Sequence, residues 1–405
     1  MVVNFLAFAI PFFLFFIGLE YLISKKNGKN YFKFSSSVAN LNIGIVERLT
    51  DLFVAGSFYF FYDYLHQNFA LFNIKAIWWQ WLLLLLATDF LWYWYHRFGH
   101  EINLFWGFHV VHHTSEEFNY TAATRITFFQ SFVRTLFWAI LPIIGFPAEM
   151  ITTILLIHGT YPFFTHTQTI GKLGWLEYII VTPSHHRVHH ANNEAYLDKN
   201  FGDIFIFWDK IFGTYAEEKE EATFGLTKQL QSYSLLWQHF HFLVELFYAV
   251  IGERGLVNKL KMLFGSPTKF DPALRSRLEK TFLSKHKVSA KSSRFKNYIV
   301  GQMVLSLAFL FCLLLFGEYL SISLKILTTT FLFVTAVNCG AILEQKRWVF
   351  YLEIIRLLIV FVSFYEYFPI QTINLAIGLA IYYLLFDLDL YKKANQQYLK
   401  YIYGN

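Results

Sequence analysis

The uncharged apolar runs decide what this chain can fold into. Val2–Leu19 contains no charged side chain and is followed by Lys25, Lys26, Lys29 and Lys33. A membrane-spanning helix needs about 20 mostly apolar residues. Val2–Leu19 meets that need and lacks the small-residue cleavage site of a removed signal peptide, so it reads as a retained first span. Further spans are expected at Val38–Tyr62, Ile77–Tyr95, Tyr298–Gly317, Ile326–Leu343, Val349–Tyr365 and Phe368–Phe386. Glu47, Arg48 and Asp51 interrupt the second, and Glu353 and Arg356 the one from Val349. Trp78, Trp79 and Trp81 open the third as an interfacial belt. Thr135–Ile157 is broken around Pro142 and Pro147, which suits a short hairpin better than one straight span. With 56% of residues hydrophobic and only 15% charged, the chain lies outside the range of soluble domains. The expected fold is an all-α, polytopic membrane helical bundle of about seven to nine spans.

Basic residues orient it. The lysines after the first span, the stretch Lys285, Lys287, Lys291, Arg294 and Lys296, then Lys346/Arg347 and Lys392/Lys393 can all lie on one side, which should be the cytoplasm. That placement accounts for much of the net charge of +6 without nucleic acid. Three spans from an outside N-terminus then place Tyr95, and the residues after it, at the cytoplasmic surface. Cys312 and Cys339 are the only cysteines and both sit in apolar runs, so a disulfide framework or a cysteine zinc site is excluded. Four segments are expected: N-terminal spans (1–75), a catalytic core (76–220), a basic cytoplasmic segment (221–297) and a four-span C-terminal region (298–405).

Of the 15 histidines, 11 fall between His96 and His190. "YHRFGHE" sets His96 and His100 at i, i+4. "FHVVHHT" sets His109, His112 and His113 at i, i+3, i+4, and "HHRVHH" repeats that spacing with His186, His189 and His190. Positions three and four apart share a helix face, so each motif is expected to aim its imidazoles at one point. Eight neutral imidazoles exceed what one tetrahedral zinc needs and suit two metal ions, although imidazole alone does not select among Fe, Zn, Cu and Ni. His66, His239, His241 and His286 read as ordinary core or interface histidines. Asp89 lies two helical turns before His96 on about the same face. A carboxylate in a span is a functional candidate, here as acceptor for a ligand's outer N–H. Asn119, Asp198, Asn200 and Asp209 invite the same reading, and Arg125 and Arg187 read as surface or ion-pair arginines.

"YWYHRFGHEIN", "FHVVHHTSEEFNYTAATR", "FFTHT", "TPSHHRVHHANN" and "DKNFGDIFIFWDKIFGTY" together resemble the fatty acid hydroxylase superfamily, which includes the sterol desaturases. The resemblance runs from about Asp89 to Tyr215. Its narrower stretches, "TPSHHRVHH" and "DKN…WDKIFGT", are similar to the alkylglycerol monooxygenase branch. The resemblance implies a non-haem di-iron centre that uses O2 on a lipid C–H bond, held by His96, His100, His109, His112, His113, His186, His189 and His190. His166 and His185 are further candidate ligands. Glu101 matches an acidic residue needed for activity in that branch, with a role in pterin binding. The implied reaction is ether-lipid (alkylglycerol) cleavage by hydroxylation next to the ether oxygen, with tetrahydrobiopterin or another electron donor. The lipid is expected to enter from the bilayer, and the chain to form a homo-oligomer, in a bacterial inner membrane or the endoplasmic reticulum. Two alternatives stand beside this: a sterol, carotenoid or fatty-acyl hydroxylase or desaturase with the same centre, and a zinc-dependent membrane hydrolase.

Overall fold

The computed structural model describes residues 4–283, 293–367 and 371–404. It is helical throughout; among the described residues there is no β-strand, only isolated bridges between Ile180 and Phe205 and between Ala191 and Phe224. The helices are α1 (Ala9–Lys26), α2 (Phe34–Phe69), α3 (Trp78–Glu101), α4 (Asn103–His113), α5 (Gln130–Trp138), α6 (Ile140–Ile144), α7 (Ala148–Thr165), α8 (Pro183–His190), α9 (Phe207–Phe212), α10 (Leu235–Gly252), α11 (Leu256–Phe264), α12 (Pro272–Phe282), α13 (Ser293–Leu315), α14 (Ile322–Leu343), α15 (Val349–Tyr367), α16 (Gln371–Phe386) and α17 (Leu388–Tyr403).

Two compact units divide the chain. One comprises Phe15–Gln231 and Gln238–Leu283; the other comprises Met1–Leu14, Ser232–Trp237 and Ser284–Asn405. The unit that holds the histidines includes Phe15–Gln231 and Gln238–Leu283, whereas Met1–Leu14 and Ser232–Trp237 belong to the other.

Among the described residues, four helical stretches are long and apolar enough to cross a membrane: Phe5–Lys26, Leu235–Gly252, Ser293–Leu315 and Ile322–Leu343. The second departs from expectation, because it lies inside the segment read as extramembrane. Averaging over a long polar stretch hid an 18-residue apolar helix. Lys285, Lys287 and Lys291 lie outside the described residues, as do the first residues of the first and last expected spans. The second and third expected spans are helical within α2 and α3, where charged and polar residues interrupt the apolar run. Near Pro142 the chain does bend: α6 ends at Gly145, whose φ of 129° is a left-handed conformation, and Pro147 caps α7.

Within the histidine-bearing unit an apolar core of Tyr62, Leu84, Trp92, Trp138, Leu141, Phe146 and Ile151 joins α2, α3, α5, α6 and α7. Close-packed cores transmit position rigidly, and this one fixes the helices that end at the histidines.

Candidate metal centre

His96 and His100 close the last turns of α3. The chain turns at Ile102 in an extended conformation, and α4 begins immediately, bringing His109, His112 and His113 back beside them. α8 delivers His186, His189 and His190, and the C-terminal end of α7 delivers His166. Their nitrogens form two groups: His96, His100, His109, His113 and His189 in one, His112, His166, His186 and His190 in the other, with ligand atoms in each within 4.8 Å of one another.

The partition corrects the expectation that each motif converges on one point. Residues four apart share a group: His96 with His100, His109 with His113, His186 with His190. Neighbours in sequence separate, His112 from His113 and His189 from His190. Successive helical residues are rotated by about 100°, so each HH doublet straddles a helix edge and faces both groups. That is the geometric use of the repeated HxxHH spacing.

The outer ring nitrogens determine the chemistry of the inner ones. Nδ1 of His96 lies 2.8 Å from the Phe201 carbonyl, that of His189 2.9 Å from the Lys199 carbonyl, that of His112 3.1 Å from the Arg125 carbonyl and that of His166 2.6 Å from the Pro162 carbonyl. A carbonyl only accepts, so each of these Nδ1 atoms carries the proton and each Nε2 presents a lone pair. Yet Nε2 of His112 faces Nε2 of His166 at 3.3 Å. Other inner pairs are as close: His96–His109 and His109–His113 at 3.1 Å, His166–His186 at 3.1 Å and His112–His190 at 3.0 Å. In the His112–His166 pair, where both protons are fixed on the outer nitrogens, two lone pairs at that separation repel unless a cation lies between them. Two imidazole nitrogens about 2.1 Å from a shared ion, at tetrahedral or octahedral angles, stand about 3.0–3.4 Å apart. The residues present therefore fit a metal in each group. Burial, reinforced by the neighbouring imidazoles, holds His113, His186, His189 and His190 well below the usual histidine range. Burial pulls His166 down to about 4. All are the neutral form that ligates.

Residues 81–214 match the family model described as fatty acid hydroxylase. The alkylglycerol monooxygenase of Homo sapiens is 32% identical over 368 residues, which is 89% of this chain and 82% of the relative. The chain belongs to the fatty acid hydroxylase family. Alkylglycerol monooxygenase of Danio rerio is 31% identical over 364 residues, 87% of this chain and 80% of the relative. The ornithine lipid hydroxylase OlsE of Rhizobium tropici is 28% identical over 137 residues, 34% of this chain and 41% of its own. No solved structure matches the chain. As a member of this family, with apolar helices long enough to cross a bilayer, the protein is a membrane oxidoreductase.

The remaining candidate residues separate into distinct places. The eight histidines of the three motifs and His166 make up the two groups without remainder. His185 belongs to neither. Its Nδ1 accepts the backbone N–H of Thr182 at 3.2 Å, completing a capping box at the start of α8. The sequence held that signal: a threonine followed three residues later by a side-chain acceptor, with Pro183 at the first helical position. Asp89 is fully buried but does not meet a ligand's outer N–H. It accepts from the backbone of Ile204 (2.9 Å) and Phe205 (3.1 Å) and from the Trp208 indole (3.0 Å). The ligand acceptors are mainly backbone carbonyls, which no residue pattern advertises. Beside Asp89, Nδ1 of His158 donates to Asp203 at 2.6 Å, forming a third buried group of Asp89, His158 and Asp203.

Glu101 stands half-exposed at the end of α3, paired with Arg97 at 2.8 Å. Arg187 pairs with Glu218 at 2.7 Å, as an ion-pair arginine should. Arg125 is not at the surface: it is buried, donates to neutral acceptors among which are the Val111 carbonyl and Asn40, and has the buried Glu117 as its charge partner. Asn119 braces the turn before Thr121 and reaches the Tyr31 carbonyl. Asp198 approaches Nδ1 of His100 at 3.5 Å.

Proposed function

We propose that this chain is a di-iron monooxygenase that hydroxylates a lipid C–H bond, and that its substrate is an ether lipid of the alkylglycerol class. One observation carries the metal reading. Nε2 of His112 and Nε2 of His166 face each other at 3.3 Å, while carbonyl acceptors fix the proton of each ring on the far nitrogen. The substrate reading draws on the alkylglycerol monooxygenases of Homo sapiens and Danio rerio, similar over more than four-fifths of this chain.

The ligands in this reading are His96, His100, His109, His113 and His189 for one ion and His112, His166, His186 and His190 for the other. Redox-active iron, when bound there, supplies O2 activation that zinc cannot. The chain's own residues hold His96, His112, His166 and His189 in one tautomer, and burial keeps His113, His166, His186, His189 and His190 neutral; closure of the site excludes bulk water from the reacting carbon. Hydroxylation of the carbon next to the ether oxygen consumes O2, two electrons and two protons and releases one water. The resulting hemiacetal then breaks its C–O bond to an aldehyde and a glycerol. The electrons are assigned to tetrahydrobiopterin, and Glu101, at the exposed end of α3 one residue past His100, is the candidate contact for that donor. The lipid enters from the bilayer, and the histidines lie on the cytoplasmic side.

The test is metal content of the detergent-purified protein beside His189→Ala, followed by turnover of an alkylglycerol with and without tetrahydrobiopterin. Two irons per chain in the wild type, reduced in the variant, and pterin-dependent aldehyde release are expected. One zinc and no iron after iron-supplemented growth would sink this reading and leave a zinc hydrolase in its place. Two irons without turnover of alkylglycerols would move the substrate to a sterol or acyl lipid.

A further inference from the structure

The segment from Asp198 to Ile206 holds no histidine, yet it touches three of the five histidines in one group and none in the other. The Lys199 carbonyl meets His189, the Phe201 carbonyl meets His96, and Asp198 approaches His100. The outer nitrogens of His112 and His166 use carbonyls from other places, at Arg125 and Pro162.

The backbone here is shaped for that purpose. Among the described residues three non-glycine positions have positive φ, and two of them, Asp198 and Asn200, flank Lys199 with φ of 55° each. Left-handed conformations are costly for side chains other than Asn, Asp and Gly and persist only when the surroundings enforce them. The enforcement comes from a buried carboxylate. Asp209 accepts the N–H of Phe201 at 2.7 Å on one oxygen and that of Gly202 at 2.8 Å on the other, and Thr214 donates to it at 2.7 Å. The Phe201–Gly202 peptide is thus held at the Gly202 N–H by Asp209, while its Phe201 carbonyl accepts from His96. Asp89 ties down the far end through Ile204 and Phe205.

We propose that Asp209 is a positioning residue for one metal position only, the one bounded by His96, His100, His109, His113 and His189, and that it acts through the Phe201 carbonyl without touching a ligand. This rests on the two-ion reading above. Asn cannot replace it, because one amide oxygen serves one N–H and the amide nitrogen would confront the other. Partners one layer behind a ligand typically change metal affinity 10–100-fold, and here the change falls on one ion of two.

The experiment compares wild type, Asp209→Asn, Asp209→Glu and His186→Ala, each loaded with iron-57, by metal content and Mössbauer spectroscopy. In wild type two irons per chain are expected. Asp209→Asn should hold one and lose the spectral component that His186→Ala retains, so the two variant spectra add up to the wild-type spectrum. Asp209→Glu should restore part of the lost component. Two irons in Asp209→Asn would overturn the proposal and leave the two-ion reading standing. Loss of both irons together would overturn the selectivity and make Asp209 a general structural residue. A wild type that does not hold two irons would remove the two-ion reading itself and this proposal with it. Should Asp209→Asn fail to accumulate, Thr214→Val removes one bond to the same carboxylate. A chelator should then strip one of its two irons faster than from wild type, and equal rates for both would overturn the proposal.

Discussion

Asp89→Asn separates a scaffolding carboxylate from a catalytic one. Three N–H groups end on the two oxygens of Asp89, from Ile204, Phe205 and Trp208. The asparagine oxygen can take the Oδ2 position and keep the Phe205 and Trp208 bonds; its amide nitrogen then faces the Ile204 N–H, a donor. That buried donor left unpaired costs about 1–3 kcal/mol. Removing a buried charge offsets part of this, although His158, whose Nε2 is 3.8 Å from Asp89, loses an anionic neighbour. A net loss of about 2 kcal/mol is expected, roughly 4–8 °C in melting temperature for a unit of this size. The assay is thermal unfolding in detergent at a fixed scan rate, alongside turnover normalised to bound iron. Surviving protein should turn over within about threefold of wild type, a difference of under 1 kcal/mol in barrier. An unchanged melting temperature with turnover per iron down more than about tenfold would refute the scaffolding account and return Asp89 to the chemistry.

Four further outcomes follow from named contacts. His166→Ala should lower iron content, because it removes one of four histidines in its group. His185→Ala should leave iron content near wild type while lowering stability by about 0.5–2 kcal/mol through the lost cap; iron analysis beside melting curves distinguishes them. The metal-free protein should lose stability as pH falls from 6.5 towards 4. His166 and His185 are held down to about 4 by burial, whereas in the unfolded chain they take up protons near 6.5. Their stabilisation is therefore complete above 6.5 and lost on descent; a flat melting temperature across that window would contradict it. Gly145→Ala should destabilise the bend before α7, since its φ is 129° and an added Cβ would lie 2.0 Å from the Phe72 carbonyl oxygen. Melting temperature again reads this out.

The histidine set was legible because helical spacing is read directly from residue numbers, and each motif lies on one short helix or at one helix end. Its division into two groups was not, because that depends on where α3, α4, α7 and α8 cross. The spacing of His112 and His113 is the same whether they serve one ion or two. His185 shows the opposite failure. It sits in the densest histidine run, and density outweighed the capping pattern of Thr182 that accounts for it. α10 was missed because its apolar residues are embedded in a polar stretch. Asp89 was found as a buried carboxylate, but its partners were not, since backbone N–H groups of residues 204 and 205 carry no sequence label. The ligand acceptors at Lys199, Phe201, Arg125 and Pro162 were invisible for the same reason.

These backbone acceptors also bear on charge. In the two-iron reading proposed above, imidazole ligands bring no negative charge to the ions, and a buried charge far from a counter-charge is costly. The counter-charge stands one layer out. Asp89, Asp203 and Asp209 are all buried, and each is bound to, or belongs to, the 198–206 segment that supports His96 and His189. On the other side the buried Glu20 accepts from Thr167, next to His166, and the buried Glu117 faces the Arg125 guanidinium, whose positive charge offsets part of theirs. In this arrangement the two metal positions are electrostatically unequal. The one backed by Asp209 should favour the higher iron charge, and the one beside Arg125 the lower. Partial oxidation of the diferrous protein would test this: the Mössbauer component lost in Asp209→Asn should be the first to become ferric. Oxidation beginning at the component lost in His186→Ala would show that these carboxylates hold backbone and do not tune charge.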